Sequence, residues 1–158
     1  MLKPALIIVT LIFAVETSAQ MVSTVKYNDL ESLVNKNQEE LIIINFWASW
    51  CGPCIKEMPY FDALDHREDI KVVFVSLDFQ DELNKVIKLV EKKAIASQVL
   101  WLDETDYDYY MRQVSEEWSG AIPATLMVDR DERRYFFERA FTADELNTTV
   151  NKILNNID

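Results

Sequence analysis

The sequence predicts an α/β sandwich built on a mixed sheet, and three observations lead there. Two nearly continuous apolar runs, Leu41–Trp47 (LIIINFW) and residues 70–77 (IKVVFVSL), read as strands buried on both faces. Segments with apolar residues at helical spacing alternate with them. Two further strands joined by a charged turn, then a closing helix, complete the pattern.

In chain order, residues 28–37 form a short helix with Asn28 as N-cap, Glu31 three positions on, and Leu30, Leu33 and Val34 on one face. Leu41–Trp47 is the first strand, and residues 51–64 are helical. Residues 70–77 are the next strand. Residues 81–94 place Leu83, Val86, Ile87 and Val90 on one helix face. A short strand over 99–102 leads to a helix over 106–114. Ala124–Asp129 and residues 134–141 are strands separated by the turn Arg130-Asp131-Glu132-Arg133. The last helix opens on the capping box Thr142-x-x-Glu145 and turns Leu146, Val150, Ile153, Leu154 and Ile157 inward.

A length of 158 residues predicts one domain, and 49% hydrophobic against 27% charged residues excludes a disordered chain. The net charge of −11, from 16 basic and 27 acidic residues, repels phosphate backbones, so nucleic-acid binding is excluded as a function. Two cysteines are too few for a disulfide-scaffolded fold. Only two glycines occur where average usage gives roughly eleven, so each sits where it does for a local reason.

Residues 1–20 read MLKPALIIVTLIFAVETSAQ. Lys3 supplies a positive start, residues 5–15 are apolar apart from Thr10, and Thr17-Ser18-Ala19 offers small residues before a cut. That is the layout of a secretory signal peptide over residues 1–19, cleaved before Gln20, with residues 20–158 as the mature domain. An uncleaved signal anchor is the alternative; the apolar run falls short of the roughly 20 residues a membrane span needs. The expected location is periplasmic or otherwise extracytoplasmic, in an oxidising compartment.

The chemistry concentrates at Trp50-Cys51-Gly52-Pro53-Cys54, where a buried strand hands over to a helix. Cys51 at the helix N-terminus faces unpaired N–H groups and the positive end of the macrodipole, which favour thiolate over thiol. Cys54, one turn further in, is shielded and within reach for a disulfide. Pro53 suits the first helical turn, and Gly52 is expected to allow a tight turn and leave room for an approaching chain.

The segment Phe46 to Cys54, FWASWCGPC, resembles the active-site segment of thioredoxin-like proteins. Pro59 lies eight residues after Cys51, where that family kinks its active-site helix, and Ile122-Pro123, with Gly120 before it, resembles the family's cis-proline. Asn45 before the motif, Glu57-Met58-Pro59 after it, and residues 99–114 as a βα insertion before the cis-proline resemble the secreted TlpA/ResA-like branch. The resemblance implies a thioredoxin-like fold, a central mixed sheet flanked by helices. It also implies disulfide exchange without cofactor or metal: Cys51 attacks, Cys54 resolves through a Cys51–Cys54 disulfide, and Glu57 relays the Cys54 proton. Trp50, Gly52, Pro53, Ile122 and Pro123 would bind the substrate chain. Disulfide-containing proteins are the implied substrates, in cytochrome c maturation among other settings. A membrane-embedded or soluble thiol donor is the implied electron source, and the protein is expected to be a monomer.

Alternatives stand beside this reading. Within enzymes it is a disulfide oxidase or isomerase; outside them, a binding or copper-delivery module using Cys51 and Cys54 as soft ligands. The cysteines could also form a purely structural disulfide. With His66 they make three possible zinc ligands, one short of a structural site, and His66 reads better as a solvated helix end. Glu57 beside Lys56 reads almost equally well as a solvated charge. Asn45 reads as a satisfied polar group under the site, and Phe46, Trp47 and Trp101 as core. The acidic, tyrosine-rich residues 103–110 are either a solvated helix start or, where Tyr107 and Tyr109 stand exposed, a docking surface.

Overall fold

The structure, a computed structural model, describes residues 22–156; the expected signal peptide and Ile157 lie outside the described residues. The elements are β1 (Ser23–Val25), α1 (Tyr27–Asn35), β2 (Leu41–Trp47), α2 (Gly52–Leu64), β3 (Ile70–Ser76), α3 (Leu83–Lys93), β4 (Gln98–Leu102), α4 (Tyr107–Val114), β5 (Ala124–Asp129), β6 (Arg134–Phe137) and α5 (Ala143–Leu154). Six strands form one sheet in the order β1-β4-β3-β2-β5-β6. The first four are mutually parallel; β5 runs antiparallel to β2, and β6 antiparallel to β5.

Strand order explains the layers. From β2 through β3 to β4 the chain steps one way across the sheet, and right-handed crossovers put α2 and α3 on one face. The step from β1 to β2 runs the other way, which puts α1 on the opposite face. Along β2, Leu41, Ile43 and Trp47 pack with Phe61, Val86, Val90 and Leu146 beneath α2, α3 and α5. Ile42, Ile44 and Phe46 pack with Leu30, Val34, Tyr110 and Val114 beneath α1 and α4. All seven β2 residues are buried, as a strand covered on both faces requires. Each such large apolar side chain contributes about 1.5–3 kcal/mol of transfer free energy.

Four sequence expectations change. The N-cap of α1 is Lys26, not Asn28; the Asp29 carboxylate accepts the Lys26 N–H at 3.0 Å, and Asn28 lies inside the helix. The predicted helix over 81–94 divides into a 3-10 turn, Gln80–Glu82, and α3. The last strand stops at Phe137 because Glu138 turns its carboxylate to Ser119 and Ala121. Finally, β1 was not expected: three residues pair with β4 from Ser23–Leu100 to Val25–Leu102 and close that edge of the sheet. The βα unit before the cis-proline strand is present as β4 and α4.

Candidate active site

The C-terminal end of β2 delivers the chain to Cys51, the N-cap of α2. Cys51 and Cys54 are joined in a disulfide. Cys51 retains 6% of its accessible surface and Cys54 none, so an incoming sulfur reaches Cys51. The Cys51 sulfur accepts the Cys54 N–H at 3.3 Å, a donor freed by the helix start. That donor stabilises negative charge on the same sulfur once the bond is broken. Gly52 is the first residue of α2 and has no left-handed φ, so the expected tight turn is not its role. What it leaves is open space, since a Cβ there would meet nothing within 4 Å. Pro53 follows in the first turn and is exposed, as is Trp50 at 61%. Pro59 lies within α2.

The opposite wall comes from the loop before β5. The Ile122–Pro123 peptide is cis, and the Ile122 carbonyl oxygen lies 3.8 Å from the Cys51 sulfur. Two side chains hold this loop. Trp118 donates its indole N–H to the Ala121 carbonyl at 2.9 Å, and Glu138 accepts N–H groups of Ser119 and Ala121. Gly120 turns the loop at φ +95°, and a Cβ there would come within 3.2 Å of the Met111 sulfur. Hydrogen bonding to Ser119 holds the Glu138 carboxyl below its usual range.

Glu57, one helical turn past Cys54, is 1% exposed, which removes the solvated-charge reading. Its carboxylate accepts the Asn45 side-chain N–H at 3.0 Å and the Phe141 backbone N–H at 2.7 Å. Burial pushes its pKa up, against the lowering effect of those two donors. Asn45 also donates to the Thr125 hydroxyl at 3.2 Å, but its Oδ1 is buried without a partner, so it is only half satisfied. A cleft of about 400 Å³ between Gly52, Pro53 and Phe141 reaches Glu57 and gives it a route to solvent. A larger cleft of about 520 Å³ lies at the opposite end of the sheet, against Ile42, Lys71 and Gln98.

Asp78, just past the end of β3, escaped the sequence reading. It is 3% exposed and accepts the Ser49 N–H at 2.9 Å and the Ser49 and Ser76 hydroxyls. Its own carbonyl accepts the Trp101 indole N–H at 2.7 Å. Asp78 therefore ties the segment leading into Cys51 to the neighbouring strand. A small polar residue after a buried strand gave no sequence signal of this. Thr125 and Glu138 were missed for the same reason, since their partners are distant in sequence. His66 stands exposed just past α2, as expected, and no cluster of metal-ligating side chains occurs among the described residues.

The thioredoxin family profile matches residues 21–110. A thiol-disulfide oxidoreductase ResA from Oceanobacillus iheyensis is 42% identical over 59 residues, covering 35% of this chain and 27% of that protein. Thioredoxin 1 of Plasmodium falciparum is 32% identical over 69 residues, covering 44% of this chain and 60% of its own length. Both matches span less than two thirds of the relative. The crystal structure of a thioredoxin-related protein from Neisseria meningitidis serogroup B superposes with a TM-score of 0.65 at 19% identity, covering 77% of this chain and 90% of that one. At that identity the likeness attests the fold.

Proposed function

Because the chain belongs to the thioredoxin family, we propose that it is an extracytoplasmic, ResA-like thiol–disulfide oxidoreductase that reduces protein disulfides with Cys51 and Cys54. One observation carries this reading: the Cys51 sulfur caps a helix N-terminus and faces the cis-proline loop at 3.8 Å, with Cys54 sealed behind it.

In the reduced protein the Cys51 thiolate attacks a substrate disulfide, forms a mixed disulfide and expels one substrate thiolate. Glu57 takes the Cys54 proton; the Cys54 thiolate attacks the Cys51 sulfur, closes the Cys51–Cys54 bond and releases the second substrate thiolate. Two electrons pass to the substrate, and a thiol donor of membrane-embedded or soluble type restores the dithiol. Trp50, Gly52 and Pro53 form one side of the substrate groove and Ile122 and Pro123 the other, where a substrate backbone pairs with the loop. The Gly-Pro dipeptide between the cysteines is thioredoxin's own and favours the reducing direction. Within this reading, the CxxCH disulfide of an apocytochrome awaiting haem is the substrate class. The extracytoplasmic setting rests on residues 1–19. Cleavage after Ala19 spares every described element, the first of which starts at Ser23.

The test is the equilibrium potential of the Cys51–Cys54 pair in glutathione buffers. The reading expects a value below about −230 mV. A value above about −150 mV makes the protein an oxidant, and the cytochrome role falls with the reducing direction. Absence of reversible exchange would turn the protein into a binding or copper-delivery module.

A further inference from the structure

Among the described residues, the large apolar side chains that stand exposed are Trp50, Phe79, Tyr107 and Tyr109. Tyr109 lies edge-on to Tyr27 on α1 and Tyr107 lies against Tyr110, each at 6.0 Å, and both keep nearly half their surface exposed. Trp50, Phe79 and Tyr107 follow the C-terminal ends of β2, β3 and β4, which lie side by side in the sheet. They form a row at the end of the molecule that holds Cys51. Phe79 and Tyr107 wall a cleft of about 200 Å³ floored by Trp101 and Asp78. Asp78 binds the Ser49 backbone, so the cleft adjoins the chain segment leading into Cys51.

Charge frames the row. Residues 78–82 and 103–108 carry seven acidic side chains and no basic one. Lys26 pairs with Asp103 and Lys85 with Glu82. Asp78 serves Ser49 and Ser76, Asp106 caps α4, and Glu104 accepts the Tyr27 N–H. Asp81 and Asp108 stand exposed outside these pairs.

Resting on the exchange reading above, we propose that this row docks the substrate chain beyond its cystine and selects a polypeptide segment carrying lysine or arginine there. Such a segment, paired at the cis-proline loop and crossing Trp50, reaches Phe79 and Tyr107. Aliphatic stems of lysine or arginine cover the two rings, and their charged heads meet both the ring faces and the acidic rim. An acidic segment meets like charge over the same path, so the surface discriminates as well as attracts.

The probes are two labelled peptides of one sequence with serine in place of cysteine, one flanked by lysines and one by glutamates. Binding to the full chain is read by fluorescence anisotropy. The lysine peptide is expected to bind about tenfold more tightly at low salt, with the difference closing near about 0.5 M salt. Phe79→Ser with Tyr107→Ser should lower its affinity roughly fivefold, and Asp81→Asn with Asp108→Asn should flatten the salt dependence. These side chains stand at the surface, where substitutions cost little stability. Equal affinity for the two peptides, or indifference to both double variants, overturns the docking surface. Reduction of a small aromatic disulfide by the unaltered chain is measured alongside. Its failure with the lysine preference intact overturns the exchange reading and leaves the docking surface standing.

Discussion

A buried carboxylate is costly unless it works or is neutral, and Glu57 shows the cost most directly. Its folded pKa lies above the usual glutamate value because burial outweighs the donors at Asn45 and Phe141. Its contribution to stability is therefore fully present below the ordinary glutamate pKa and is lost as pH rises through the raised folded value. Glu57→Gln removes that loss. The midpoint of thermal unfolding at pH 7 should rise relative to the parent, and the two should converge in mild acid. The introduced amide is tolerated because Asn45 can rotate its unpartnered Oδ1 towards it. Exchange should suffer in the opposite sense: with the proposed base for Cys54 removed, resolution should slow by about a hundredfold and the mixed disulfide accumulate, visible by mass spectrometry. An unchanged resolution rate would leave Glu57 a purely structural group. At this scale the sequence revealed what a contiguous motif can carry: Cys51, Cys54 and the Ile122-Pro123 step. It hid the burial of Glu57, because Asn45 and Phe141 approach from distant parts of the chain. It hid Asp78 for the same reason, since nothing local ties that residue to Ser49.

Elements tell a parallel story. Both-face burial made β2 and β3 legible nearly to the residue, and the Thr142–Glu145 box marked the start of α5, where both reciprocal hydrogen bonds form. By contrast, β1 has only three residues and no period to read; its partner is β4, far along the chain. The end of β6 was illegible because the Glu138 contact across the site, not a local breaker, ends the strand. Scarcity of glycine leaves its own mark on α3. The C-cap, Ala94, has φ 51°, a left-handed conformation that glycine adopts freely and alanine does not. Ala94→Gly should stabilise the protein by about 1 kcal/mol, read as a shift in denaturant midpoint with unchanged slope. A loss of stability would mean that unfolded-chain entropy outweighs the strain.

For the molecule as a whole, the reducing direction proposed above is a statement about stability. A dithiol that gives up electrons readily belongs to a fold that holds its disulfide form more tightly than its dithiol form. Each 30 mV of potential below that of the unfolded pair corresponds to about 1.4 kcal/mol. The oxidised chain should therefore unfold at higher denaturant than the reduced chain, compared by circular dichroism with and without a thiol reductant. The reverse order would fit an oxidant. The placement of β4 between β1 and β3 has a consequence in time. Strand β1 emerges first from any channel that threads the chain from its N-terminus, yet it cannot dock until residues 98–102 have followed. The sheet is then sealed late, by the earliest segment, after a long loop has closed. Were the chain exported unfolded, as the extracytoplasmic reading proposes, its first strand would wait unpaired on the far side of the membrane until β4 had crossed.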